Sequence, residues 1–201
     1  MNIRSILFLL SILFTNYVIS QENTVLTKDK KVLNITRADI APKIDGVLDD
    51  AVWQNAEVAT GFIQFRPEIG NTLPSEQRTE VKMTYDDKAI YVGAYLYDDP
   101  TKIMRQLTSR DNFGQNDFFA VVLNPNNDAQ NDTQFFVFAS GQQADAIANP
   151  SIGEDFSWNA VWQSAVKIND DGWAVEIEIP YRTLRFPDQE EPTWGLPTSG
   201  D

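Results

Sequence analysis

The stretch that decides the fold is residues 80–97, which read Glu-Val-Lys-Met-Thr-Tyr-Asp-Asp-Lys-Ala-Ile-Tyr-Val-Gly-Ala-Tyr-Leu-Tyr. Apolar and polar residues alternate over the first six positions, as they do in a β-strand with one buried face. The last nine positions are rich in β-branched and aromatic residues, and the turn sequence Asp-Asp-Pro follows at 98–100. Because the polar triplet 86–88 separates the two runs, the stretch predicts an antiparallel hairpin with a short loop.

Three further runs of residues predict strands beyond this hairpin. Residues 118–123 and 134–139 are nearly continuous apolar runs, which is typical of strands buried on both faces. Residues 173–179 alternate and stop at Pro180, so we expect the odd positions to face the core. Many short strands separated by Gly, Asn, Asp and Pro indicate an all-β protein, an antiparallel β-sandwich with one core.

Helical signals are few and short. Residues 49–56 could form two turns behind an acidic N-terminus, and residues 101–108 place Ile103, Met104 and Leu107 at helical spacing. We therefore expect one or two short helices beside the sandwich.

The composition excludes several classes of function. The 201 residues contain no Cys and no His, which rules out thiol catalysis, a Ser-His-Asp triad and zinc sites of the Cys/His type. The formal net charge of −13 argues against a nucleic-acid partner, because phosphate neutralisation needs clustered Lys and Arg. Any chemistry would have to use carboxylates, Lys, Tyr, Ser/Thr or a hard metal ion.

The first twenty residues have the pattern of a secretory signal peptide. Arg4 precedes an apolar run over 6–14 that resumes at 17–19, and we expect cleavage before Gln21. A retained membrane anchor is the alternative, although the apolar run is short and interrupted. No Cys follows it, so the chain is not a lipoprotein. We expect an exported protein with a signal peptide (1–20), a lead segment (21–35) and one sandwich domain (36–201).

Glu176 and Glu178 are two carboxylates on one face of the strand predicted at 173–179. Glycoside hydrolases need two carboxylates that flank the scissile bond, and Glu176 with Asp155 or Asp117 is the pair to test. Catalytic carboxylates face each other across a substrate, whereas neighbours on one strand do not. A solvated or structural face is the alternative.

The loop 124–132 carries six Asn or Asp residues. Oxygen ligands of this kind suit calcium, and the candidate ligands are Asn124, Asn126, Asp128 and Asp132. The same residues are also the common turn formers, so a plain turn is the alternative. If calcium binds, we expect it to stabilise the sandwich and to take no part in chemistry.

Trp158 and Trp162 are candidates for contact with a ligand. On a strand, a spacing of four residues returns both rings to one face, where two indoles can stack on sugar rings. Packing in the core is the alternative interpretation of each Trp.

Several motifs, taken in order, resemble carbohydrate-binding module family 9. Residues 44–53, Ile-Asp-Gly-Val-Leu-Asp-Asp-Ala-Val-Trp, resemble the family's opening signature, Ile-Asp-Gly-x-Leu-Asp-Glu-x-x-Trp. The paired strands at 79–92, Asn-Asp-Phe-Phe at 116–119 and Asp-Gly-Trp-Ala-Val-Glu at 171–176 are similar to later family motifs. The resemblance covers residues 36–196 and implies a β-sandwich that binds glycan ends beside a glycoside hydrolase.

Other motifs resemble a bacterial subgroup of the family. They are Arg-Pro-Glu-Ile-Gly at 66–70, Ser-Glu-Gln-Arg-Thr-Glu at 75–80, Arg-Asp-Asn at 110–112 and Ile-Pro-Tyr-Arg-Thr-Leu-Arg-Phe at 179–186. In that subgroup the module follows a signal peptide and precedes an outer-membrane region similar to a β-barrel. The resemblance implies a Gram-negative periplasm, outer membrane or cell surface as the location, with that region as a partner on the same chain.

The residues that bind sugar in the family are mostly replaced here. The family uses a Trp, a Glu, a Gln, an Arg and an Asn, which align with positions near Gly114 and at Ala120, Gln134, Phe136 and Phe138. Only Gln134 matches, and Phe113 can stand in for the aromatic residue. The candidate ligand-binding residues are therefore Phe113, Gln134, Trp158 and Trp162.

These observations predict a non-catalytic module that binds glycan and serves carbohydrate catabolism. Two alternatives stay open: a structural or plug module of an outer-membrane protein, and an O-glycosyl hydrolase that uses paired carboxylates.

The end of the chain departs from the family as well. Trp-Gly-Leu at 194–196 is followed by Pro-Thr-Ser-Gly-Asp, most of which are poor strand residues. We expect a truncated or frameshifted product that lacks its last strand or strands.

Overall fold

In the computed structural model, residues 31–64, 69–126 and 130–184 are described. Contacts divide the chain into two units, Met1–Val32 and Leu33–Asp201, and the fold below belongs to the second. The predicted signal peptide and the predicted truncation at the C-terminus lie outside the described residues. No helix in the described ranges is long and apolar enough to cross a membrane.

The described part of the second unit is built from two β-sheets and one short helix. In chain order the elements are β1 (Thr36–Arg37), α1 (Ala51–Asn55), β2 (Val58–Ala59), β3 (Thr79–Tyr85), β4 (Ala89–Tyr97), β5 (Phe118–Leu123), β6 (Asp132–Phe138), β7 (Gln143–Asn149), β8 (Gly153–Asp155), β9 (Gln163–Asn169) and β10 (Gly172–Pro180). Two short 3-10 turns, Ser75–Gln77 and Tyr181–Thr183, precede β3 and follow β10.

The first sheet has the strand order β1-β3-β4-β10-β9, with β2 also paired to β3. The predicted hairpin is confirmed as β3 and β4, which are antiparallel and in register from Thr79 opposite Leu96 to Tyr85 opposite Ile90. β10 lies antiparallel between β4 and β9. The second sheet is an antiparallel meander in the order β5-β6-β7-β8.

The main core lies between the two sheets. Because strand residues alternate between faces, β10 places Trp173, Val175, Ile177 and Ile179 in this core, as the odd positions predicted. β6 contributes Phe135 and Val137 from the opposite sheet, and both are completely buried. The all-β sandwich expected from the sequence is confirmed.

One predicted helix is present and the other is wrong. Residues 49–56 contain α1, which buries Trp53. Residues 101–108 instead run beside the entry to β5: Arg105 forms an isolated antiparallel bridge with Asn116, and the Met104 amide donates to Asp117 Oδ2 at 3.0 Å. Hydrogen bonds to the neighbouring segment replace those that the helix would have formed within itself.

Candidate functional site

Five phenylalanines cluster on the outer face of the second sheet. We call Phe113, Phe118, Phe136, Phe138 and Phe156 the aromatic face. Alternation along β6 directs Phe136 and Phe138 away from the core that Phe135 and Val137 occupy, and β5 places Phe118 directly opposite Phe138. The Phe113 ring lies at the centre, with centroid distances of 4.9 Å to Phe138, 5.1 Å to Phe136, 5.4 Å to Phe156 and 5.5 Å to Phe118.

Part of the aromatic face is open to solvent. Phe138 is fully covered, whereas 46% of Phe118 is exposed and Phe113 and Phe156 are half-buried. The contacts of Phe113 with its four neighbours are edge-to-face, a geometry that fixes the ring planes. The face therefore offers a preformed aromatic surface with a rim that a ligand can reach.

Gln134 lies on the same side of β6, two residues before Phe136. Its side chain is half-buried, and its buried Oε1 accepts no hydrogen bond from the described part of the chain. A buried acceptor without a donor costs free energy, because it has lost its hydration without replacement.

The aligned sugar-binding positions converge on this face. Ala120, Phe136 and Phe138 belong to one apolar cluster with Phe113, and Gln134 shares their side of the sheet. Ala120, Phe136 and Phe138, the positions for which the resemblance implies Glu, Arg and Asn, give this face apolar side chains. Phe118 and Phe156 were missed by the sequence analysis. The alternation of β5 could have indicated Phe118, but Phe156 lies outside any strand.

Trp158 and Trp162 do not lie on one strand, so the spacing of four does not place their rings together on a strand face. β8 ends at Asp155, whose Oδ1 accepts the Ser157 amide at 2.9 Å and turns the chain. Both rings contact Phe135, with centroid distances of 6.1 and 5.3 Å, on the core side of the second sheet. Trp162 is buried and Trp158 is half-buried, and contact of either residue with a ligand stays a prediction.

The predicted calcium ligands differ in their surroundings. Asn124 is buried, Asn126 is exposed, Asp132 is half-buried at the start of β6, and Asp128 lies outside the described residues. Across residues 31–64, 69–126 and 130–184, no three acidic side chains are grouped so that they could hold a metal ion. Calcium binding by this loop stays a prediction.

Glu176 has a structural environment. It is completely buried, and its carboxylate accepts hydrogen bonds from the Asp45 amide at 2.9 Å, the Gly46 amide at 2.7 Å and Trp53 Nε1 at 2.8 Å. Burial raises its pKa above the ordinary value, and the three donors oppose that shift. Glu176 is thus enclosed and fully hydrogen-bonded, so it cannot act on a substrate as the hydrolase hypothesis requires.

The signature at 44–53 forms this enclosure. Gly46 adopts φ +83° and its amide points at Glu176, while the Trp53 ring packs over Gly93. A Cβ on Gly93 would come within 3.3 Å of that ring. The signature therefore covers the outer face of the first sheet and lies on the opposite sheet from the aromatic face.

Comparison with known proteins gives one family and two similar structures. The family model described as carbohydrate family 9 binding domain-like matches residues 44–196. One solved structure, a carbohydrate binding module family 9 from Caldicellulosiruptor kristjanssonii in complex with glucose, has a TM-score of 0.53 and 21% identity, covering 77% of this chain and 71% of that chain. A second, from the same organism in complex with cellotriose, has a TM-score of 0.52 and 20% identity, covering 77% and 68%. No curated protein matches the chain.

Proposed function

The chain belongs to the carbohydrate family 9 binding domain-like family, and from this premise we propose that it is a non-catalytic module that binds glycan on its aromatic face. The observation that carries the proposal is the convergence of Phe113, Gln134, Phe136 and Phe138 on one open sheet face. The similar structures from Caldicellulosiruptor kristjanssonii hold glucose and cellotriose, which supports a sugar as the ligand class.

The proposed mode of binding combines stacking with a small number of hydrogen bonds. The C–H groups of a sugar ring would rest on the exposed rim of Phe118 and on Phe113, and the half-buried Gln134 side chain on the same side of β6 would hydrogen-bond a sugar hydroxyl. No proton transfer is needed, because such a module holds its ligand without cleaving it. In this proposal the protein is exported through residues 1–20 and serves carbohydrate catabolism beside a hydrolase or an outer-membrane region.

A second function is favoured by one specific observation. Phe118 is 46% exposed and lies beside the half-buried Phe113 and Phe156, which gives the face an accessible apolar rim that can pack against protein. The alternative is therefore a structural or plug module of an outer-membrane protein whose aromatic face contacts the rest of that protein.

Affinity electrophoresis in gels that contain soluble neutral glucans tests the proposal. We expect at least one glucan to retard the wild-type chain. Phe118→Ala should weaken that retention about two- to tenfold, since an aromatic contact contributes about 0.5–1.5 kcal/mol. Phe62→Ala is the matched control, because Phe62 is also an exposed phenylalanine, at 43%, but lies in the loop after β2.

Two results would contradict glycan binding by this face. If the wild-type protein is folded and no glucan retards it, glycan binding is contradicted and the structural or plug module becomes the favoured function. Equal losses in Phe118→Ala and Phe62→Ala would show that the aromatic face does not hold the glycan. Thermal melts of both variants establish that they are folded.

A further inference from the structure

A cavity that is open to solvent lies between residues of the two sheets, away from the aromatic face. It has a volume of about 490 Å³ and is lined by Arg110, Gly141, Gln142, Gln143, Trp162, Gln163 and Ser164. The turn before β7 supplies residues 141–143, and the entry to β9 in the other sheet supplies residues 162–164. Gln143 lies opposite Val137 of the core, whereas Ala144 belongs to the cluster behind the aromatic face. We call this space the Arg110 cavity.

Hydrogen bonds to a buried carboxylate hold the residues around the cavity. Asp145 is completely buried and accepts hydrogen bonds from Arg110 Nη2, from Trp162 Nε1 at 2.7 Å and from the Ala160 amide at 3.1 Å. Arg110 also donates to Gln143 Oε1 at 2.8 Å. No local sequence pattern indicates this network, because its members lie 15 to 35 residues apart along the chain.

The charge of Arg110 is balanced locally. Besides Asp145, the carboxylate of Asp111 lies 3.9 Å from Arg110 Nε. Two carboxylates beside one guanidinium leave no excess positive charge, and the whole chain carries a net charge of −13. A site of this kind does not favour an anion.

The remaining groups at the cavity both donate and accept hydrogen bonds. Ser164 Oγ accepts from Gln143 Nε2 at 2.8 Å and keeps its own proton to donate. Gln142 Oε1 accepts from Ser140 Oγ, which leaves the Gln142 amide NH₂ free to donate. Gln163 is exposed, and its side chain makes no hydrogen bond within the described residues. Paired donors and acceptors on amides and hydroxyls match the hydroxyl groups of a neutral sugar.

From these observations we propose that the Arg110 cavity is a second binding site, for one neutral sugar unit. Its volume lies within the range of small-molecule sites, and hydrogen bonds hold Arg110, Gln143 and Ser164 in place. Gln163 and Ser164 hydrogen-bond the sugar hydroxyls, while Arg110 and Asp145 position the Gln143 side chain. The site takes its ligand independently of the aromatic face.

Residue-resolved amide NMR of the full chain tests this proposal, with glucose, galactose, mannose and xylose as neutral probes and glucuronate as the charged one. We expect at least one neutral sugar to shift the amides of Gly141, Gln143 and Ser164 in a saturable way, and glucuronate to bind more weakly. Gln163→Ala and Ser164→Ala should each weaken binding about two- to tenfold, as expected for one lost hydrogen bond. Gln54→Ala, at an exposed glutamine on α1, should leave the affinity unchanged.

Three results would overturn the proposal: no saturable shift at these amides with any neutral sugar, unchanged affinity in both cavity variants, or tighter binding of glucuronate. Phe118→Ala separates this proposal from the proposed function. It should leave the affinity measured at the Arg110 cavity unchanged while it weakens binding at the aromatic face. The experiment can therefore contradict one of the two proposals without contradicting the other.

Discussion

At the scale of single residues, the Glu176 carboxylate holds the segment 44–53 against the outer face of the first sheet. Its two oxygens accept three N–H donors, from Asp45, Gly46 and Trp53. Glu176→Gln replaces one acceptor oxygen by an NH₂ group that faces a donor, so at least one buried N–H loses its partner. We expect the free energy of unfolding to fall by about 1–3 kcal/mol in urea titrations.

Glu178→Gln is the matched control for this residue. Glu178 is only half-buried, two positions further along β10, and the same substitution there should change stability by less than about 0.5 kcal/mol. If the free energy of unfolding falls no more in Glu176→Gln than in Glu178→Gln, the three hydrogen bonds do not hold the segment 44–53 in place.

At the scale of elements, Arg110 ties the loop before β5 to β7. Arg110→Ala removes the cation and one donor from buried Asp145, although the Arg110 side chain is itself 38% exposed. Removing one partner of a buried ion pair costs more than removing one of a surface pair, because the remaining charge stays desolvated. We expect a loss of about 1–3 kcal/mol in the free energy of unfolding by urea.

Arg37→Ala provides the comparison, since Arg37 pairs with Asp87 where both side chains are mostly exposed. That substitution should cost no more than about 1 kcal/mol. Equal losses in the two variants would show that water reaches Asp145 and that the network does not fix this loop.

At the scale of the whole molecule, three tyrosines with raised pKa values should make the fold sensitive to alkali. Burial and a hydrogen bond to Asp171 raise the pKa of Tyr95 to about 12, and burial raises the pKa of Tyr181 to about 12. Burial, with a hydrogen bond to Asp86, also raises the pKa of Tyr91. Because unfolded tyrosines lose their protons near 10, the unfolded chain binds fewer protons above that pH, and stability should fall as the pH rises further.

Urea midpoints between about pH 9 and pH 12, together with phenolate absorbance, measure this effect. Tyr95→Phe should flatten the dependence of the midpoint on pH, because one of the shifted groups is gone. If all tyrosines titrate near pH 10 in the folded protein, or if stability stays constant across this range, the expectation is wrong.

The sequence by itself determined the class of fold, the hairpin of β3 and β4, and the strands β5, β6 and β10, whereas it did not indicate β1, β2, β7, β8 or β9. Period-two alternation at 80–85 and 173–179 is a local property, and it fixes which side chains can share a buried face. The resemblance to the family, and not the alternation, singled out Gln134 and Phe113, which the fold brings to one side of the second sheet.

Tertiary structure alone decided which polar groups are buried and which aromatics meet. Glu176 lies 131 residues from Asp45, and Arg110 lies 35 residues from Asp145, so no local pattern encodes either pairing. Residues 101–108 have helical spacing but pair with the segment before β5, and Trp162 turns inward to Asp145. The physical reason is the same in each case: the partner that satisfies a buried donor or acceptor comes from a distant element, and only the folded chain brings the two together.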